Sequence, residues 1–150
     1  MNDFDFLVGE WTVANRRRRQ FLGGCDEWDE FPAESTCIRL FDGAANFDSI
    51  TFSTLGSAGL TLRLFDPVRE EWSLYWASSR DGILQPPVSG SFAEGVGKFY
   101  GDDTYDAKPI RVRYVWSEIT AHSARWEQAF SVDGERSWET NWVMTFDRLR

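Results

Sequence analysis

Residues 123–146, SARWEQAFSVDGERSWETNWVMTF, constrain this chain more than any other stretch. Ala124, Trp126, Gln128 and Phe130 fall on one face of an extended segment. Trp138, Thr140, Trp142, Met144 and Phe146 fall on one face of a second, with Asp133-Gly134 as the turn between them. Alternation at period two is the mark of a half-buried strand. A lone hairpin is marginal in water. One that carries three indoles, two phenyl rings and a methionine needs the rest of the chain to wrap around it.

The remainder reads the same way. Asn2 to Val8 groups Phe4, Phe6 and Leu7, as expected of a short helical turn that plugs one end of a sheet. Trp11 to Leu22 reads as a long strand, Gly23-Gly24 as a hairpin turn, and Asp26 to Phe41 as its partner, interrupted near Pro32. Two-residue turning at the glycines places Arg18 opposite Asp29 and Arg17 opposite Glu30, so the run Arg16 to Arg19 reads as a self-neutralised cross-strand ladder rather than an anion patch. Further strands follow at 46–54, 60–65, 71–77, 88–92, 96–100 and 110–116. Asp102 to Pro109 reads as a polar loop, and the Pro86-Pro87 pair blocks regular pairing beside it in sequence. No segment of helical period and useful length follows residue 10.

Turn signals every 8–12 residues and short connections predict an all-β fold: a single antiparallel up-and-down barrel of about ten strands, one domain over residues 1–150. Closure removes the edges that a long meander would otherwise expose. The chain is long enough to bury a core without staples.

Charge and cysteine usage exclude several functions. A net charge of −8 disfavours nucleic acid and anionic lipid as partners. No stretch approaches the length of a membrane span, and the acidic start MNDFDF is unlike a secretion signal. A cytoplasmic protein with reduced thiols at Cys25 and Cys37 is expected. No zinc spacing, phosphate loop or nucleophile elbow is present.

Gly9-Glu10-Trp11, opening the first strand after an apolar turn, resembles the G-x-W signature of the calycin superfamily, which includes lipocalins, fatty-acid-binding proteins and nitrobindins. LVGEW at the start and TNWVMTFDR at the end are also similar to a group of bacterial lipocalin-like proteins. The resemblance implies a barrel floor closed by Trp11 under a late arginine, Arg148 or Arg150. In the nitrobindin branch haem is held by a histidine late in the barrel; the last strand here has none, so no cofactor is expected and haem on His122 is the alternative. Ser131-x-Asp133-Gly134-x-x-Ser137-Trp138 resembles the Asp-box turn of sialidases and is read as turn chemistry alone.

The more apolar strand faces, taken as inward, give a lining of Val13, Asn15, Arg17, Leu62, Trp76, Tyr114, Trp116, Trp126, Gln128 and Trp142. A ligand site is expected at Asn15, Arg17, Trp76, Tyr114, Trp116, Trp126, Gln128 and Trp142. Arg111 and Arg113 replace Arg17 as the anion anchor if their strand is inverted. Aromatic walls with a few polar groups suit a small lipophilic or amphipathic guest, and equally suit a filled core. Three functions stay open: a non-enzymatic binder, an enzyme using the same cavity (haem-dependent, or a cofactor-free isomerase or cyclase), and a homodimeric module whose surplus tryptophans form the interface.

Overall fold

The computed structural model describes residues 2–150. Ten strands follow one another: β1 Gly9–Arg18, β2 Trp28–Leu40, β3 Ala45–Phe52, β4 Ser57–Asp66, β5 Glu71–Ser78, β6 Val88–Ala93, β7 Val96–Tyr105, β8 Lys108–Ser117, β9 Ser123–Ser131 and β10 Glu139–Arg148. Each pairs antiparallel with its neighbours in sequence, and β1 pairs with β10, closing an up-and-down barrel. The described residues contain only short 3-10 turns besides, at Asp5–Leu7 and Phe41–Gly43. No helix among them is long and apolar enough to cross a membrane.

The closing ladder runs from Trp11 opposite Arg148 to Arg17 opposite Trp142. At its lower end Trp11 is fully buried and donates its indole N–H to the Leu7 carbonyl at 2.8 Å. The Arg148 guanidinium stacks on the Trp11 ring at 4.2 Å and donates to the carbonyls of Val8, Phe6 and Ala121. Of the two late arginines, Arg148 is therefore the partner of Trp11, while Arg150 pairs with Glu10 at the surface. Gly9 sits at φ +124°, and a Cβ there would lie 2.5 Å from the Arg150 carbonyl oxygen, so the latch requires glycine. The N-terminal turn plugs this end: Phe4 and Leu7 are buried, and Phe4 packs edge-on against Trp72 and Phe92.

Four local expectations need correction. The connection from β1 to β2 is residues 19–27 rather than a two-residue turn, and the register moves by one: Arg17 faces Asp29 and Arg16 faces Glu30. The reason is Phe21, which folds over the upper rim onto Phe130 and Tyr105. Charge neutralisation survives the shift through Arg16–Glu30, Arg18–Asp26 and Arg19 with Glu27 and Asp29, but Arg17 turns inward. Pro32 does not interrupt β2; it pairs with Ala14, and the β3 ladder begins only at Glu34, leaving β2 an open edge where proline is tolerated. Residues 102–109 are not a loop, because β7 and β8 continue to a tight turn at Asp106-Ala107, both at positive φ.

The fourth concerns faces. A bulge between Thr140 and Trp142 puts an extra residue, Asn141, into β10. Trp142, Met144 and Phe146 stay on the inward ladder opposite Gln128, Trp126 and Ala124, whereas Thr140 pairs with the outward Ala129. Trp138 consequently lies outside, against Tyr100 and over Arg113. Trp28 lies outside too, under Arg16 and Arg18. The two outer indoles are thus capped separately by arginines and form no common face.

β4 is inverted relative to its hydrophobicity. Arg63 is buried, and Leu60, Leu62 and Leu64 face out, where Leu62 joins Ile38, Phe47 and Tyr75 in one row across four strands. Leu62 is therefore no part of the lining. The Asp-box-like loop behaves as turn chemistry: Asp133 accepts from the Ser137 N–H and from the Ser131 and Ser137 hydroxyls, and these bonds hold its carboxyl down at about 2.

The latch makes a stability prediction. Trp11→Ala removes a fully buried indole, its hydrogen bond and the platform for Arg148. It should cost about 3–5 kcal/mol in urea unfolding. A loss below about 1.5 kcal/mol would mean that the barrel closes without the latch.

Candidate functional site

The parity of β3 explains the floor of the barrel. Ile50 and Phe52 face inward, so Asp48 on the same strand does as well. Asp48 is directly opposite Thr61, and Arg63 is its diagonal neighbour on β4. Long side chains reach across such diagonals. Arg63 Nη1 lies 2.6 Å from Asp48 Oδ2 and donates to Asn46 Oδ1 at 3.0 Å, with Arg63 3% and Asp48 6% exposed. Asn46 in turn donates to the Phe4 carbonyl, and the Arg63 guanidinium lies 5.1 Å above the Phe4 ring and 5.7 Å from Trp116. The ion pair is thus tied to the plug. Inverting β4 to bury its leucines would strand Asp48 without a counter-charge, which costs more than leaving leucines half-wet.

Above this floor is a cavity of about 240 Å³. Trp76, Tyr114, Trp126 and Trp142 wall it, with Trp116 and Gln128 beside them. Tyr114 meets Trp126 at 5.1 Å, and Trp126 meets Trp142 edge-on at 5.6 Å. Six of the eight site residues expected from the sequence therefore face one space. Asn15 and Arg17 do not reach it. Asn15 accepts the Trp142 indole N–H at 3.0 Å, and Arg17 stacks on Trp142 and Phe31 at 4.9 and 5.0 Å. Both position Trp142 from behind; burial and the nearby Arg80 lower the Arg17 pKa.

Arg111 and Arg113 are outside. Arg111 bonds Asp102 and Glu135, and Arg113 lies under Trp138. His122 is exposed in the β8–β9 loop beside the backbone of Arg148, at the plugged end.

The upper wall is partly irregular. The β5–β6 ladder has only three pairs, Trp72–Gly90, Ser73–Ser89 and Leu74–Val88. Beyond it Gln85 and Pro86 complete the wall, and the Gln85 N–H donates to the Trp76 carbonyl at 2.8 Å. The outer edge of the Trp76 ring lies against Gly59, where any Cβ would be 2.0 Å from it. Asp103 of β7 lines the same end, while the Asp102 side chain stands outside with Arg111.

Sequence reasoning missed Asp48, Arg63 and Asp103. The available signal was parity: an acid two residues before Ile50 cannot face outward while Ile50 faces in. The electrostatics follow. Burial pushes the Tyr114 hydroxyl up to about 12, with Asp103 adding to the shift and Arg63 opposing it. Two buried donors on the lining side chains, Arg63 Nε and Trp116 Nε1, have no acceptor among the protein's own atoms.

The closed ten-strand antiparallel barrel fits a calycin-like fold. No protein-family model matches the chain, and no curated protein is significantly similar to it.

Two measurements test the site as physics. Asp48→Asn leaves Arg63 buried without its counter-charge and should cost about 3–5 kcal/mol, while the double change Asp48→Leu with Arg63→Met should recover most of that loss. A cycle in which the double variant is as unstable as the sum of the singles would show the pair to be uncoupled. The Tyr114 pKa, ordinarily 10.0, is raised in the fold, so its share of stability is complete below about pH 10 and drains away toward about pH 12. Tyr114→Phe should accordingly lose less stability than the parent between those values, by urea unfolding at stepped pH. Equal slopes would contradict the shift.

Proposed function

We propose that the protein is a non-enzymatic receptor for a small, partly apolar molecule held inside a calycin-like barrel. The supporting observation is the cavity of about 240 Å³ between four aromatic side chains and a charged, neutralised floor. A guest that fills this space gains contacts with all four rings.

The size also limits the guest. A cavity of about 150 Å³ takes benzene, so one or two fused rings suit this one and a long acyl chain does not. The G-x-W latch supports placing the chain with the calycins, and the free thiols of Cys25 and Cys37 suit a reducing compartment such as the cytoplasm.

Binding should be visible as a change in tryptophan emission on adding one- and two-ring lipophilic probes, with no response to a saturated sixteen-carbon acid. Val112→Phe, which builds a ring into the cavity wall, should abolish the response while the melting temperature holds or rises. Silence across the probe panel in the parent protein would sink the receptor reading.

A further inference from the structure

The way the cavity's rings are set limits a guest further than volume does. Strand order places β5 and β10 on opposite sides of the barrel, so Trp76 stands across the cavity from Trp142. Trp142, Trp126 and Tyr114 follow one another on β10, β9 and β8. Their planes meet at steep angles, 84° between the two indoles and 67° between Trp126 and Tyr114. Parallel rings make a slot for a flat molecule, whereas rings set nearly at right angles make a box. A box suits a rounded group.

Ring chemistry narrows the class. An aromatic face attracts a cation, and this chain uses that attraction repeatedly. Trp11, Trp28, Trp116, Trp138 and Trp142 each have an arginine guanidinium between 4.2 and 5.7 Å from the ring centre. Trp72 packs on Phe4 and Phe65 instead. Trp76 and Trp126 are the indoles that remain; among the described residues no guanidinium lies over either, and both stand in the cavity wall.

The charges facing the cavity favour the same sign. Arg63 and Asp48 cancel each other at 2.6 Å. Asp103 faces in at the upper end, opposite the buried Ile110, and has no basic partner among the described residues. Its field reaches the Tyr114 hydroxyl, whose pKa it helps to raise. Arg17 stands behind Trp142 with Asp29 as its cross-strand partner. The lining therefore carries one acid in excess, and a guest anion would face it. A primary ammonium would exchange water for walls made mostly of carbon and leave its N–H donors unmet. A quaternary ammonium has no N–H to satisfy, and its methyl groups make apolar contact on every side.

We propose that the guest is a compact quaternary ammonium compound whose head group lies among Trp76, Tyr114, Trp126 and Trp142, with Asp103 as its counter-charge. This inference rests on the receptor reading and names the ligand class for the same site.

Tryptophan-emission titrations of the full chain with four one-ring probes test it: phenyltrimethylammonium, tert-butylbenzene, benzenesulfonate and benzylammonium. The first three share one shape and differ in charge; the last keeps the positive charge and carries N–H donors. Phenyltrimethylammonium should bind about tenfold tighter than tert-butylbenzene. Benzenesulfonate and benzylammonium should both bind more weakly than phenyltrimethylammonium. Asp103→Asn, at an exposed position, should weaken the quaternary cation about threefold at low salt and leave tert-butylbenzene unchanged, with the loss shrinking at high salt. Trp76→Leu should weaken the cation about tenfold and the hydrocarbon about threefold. Equal binding of phenyltrimethylammonium and tert-butylbenzene, a tighter-binding sulfonate or benzylammonium, or an effect of either variant that is equal on the cation and the hydrocarbon would each overturn the quaternary-ammonium assignment while leaving the receptor reading in place. Failure of all four to bind would remove both.

Discussion

Closure of β1 on β10 is the constraint from which the rest of the molecule follows. Until Trp11 pairs with Arg148 and Arg17 with Trp142, the ten strands are a ribbon with two open edges and no interior. Once joined, every strand has an inside and an outside, and period two assigns each side chain to one of them. The junction is held where it would otherwise fray. Arg148 binds three carbonyls and the Trp11 face, so the last strand and the N-terminal turn are fixed by one guanidinium. The plug and the closure are therefore one structural event, and Phe4 carries it upward into the barrel.

Above Phe4 the interior is governed by charge as well as volume. The Phe4 carbonyl, Asn46, Arg63 and Asp48 form a continuous chain of polar contacts through the floor. A buried pair of this kind adds little stability over an apolar substitute, but removing one member is expensive. It also sets the chemistry of the space above it. A floor already neutral sets the electrostatics of that space in a way that aromatic walls alone cannot.

The barrel was legible because alternation survives even where exact pairing does not. Trp72, Leu74 and Trp76 point inward as their spacing implies, and so do Tyr114, Trp116 and Trp126. Errors arose where a nonlocal contact overrode local pattern. Phe21 reaches across the rim and lengthens the first connection, which shifts the arginine register by one. Asn141 adds a residue to β10 and expels Trp138. The leucines of β4 look like a core face and are not, because β4 answers to Asp48 on the neighbouring strand rather than to its own hydrophobicity. Each of these depends on two segments meeting, and no window along one segment contains that information.

An interior this aromatic does not have to collapse into a filled core, and the reason lies in how its rings are held. Trp142 is fixed from behind by Asn15 and Arg17 and from the side by Trp126. Trp76 lies on Gly59, where the absent Cβ makes room for the ring against the strand rather than over the cavity. The bulge residue Asn141 is buried and accepts from Gln128 at 2.9 Å, which fixes the side chain beside Trp142. Trp142 therefore cannot swing inward without breaking its bond to Asn15. A space held open by polar contacts made outside it keeps its shape before any guest arrives, and a guest then loses little affinity to reorganisation.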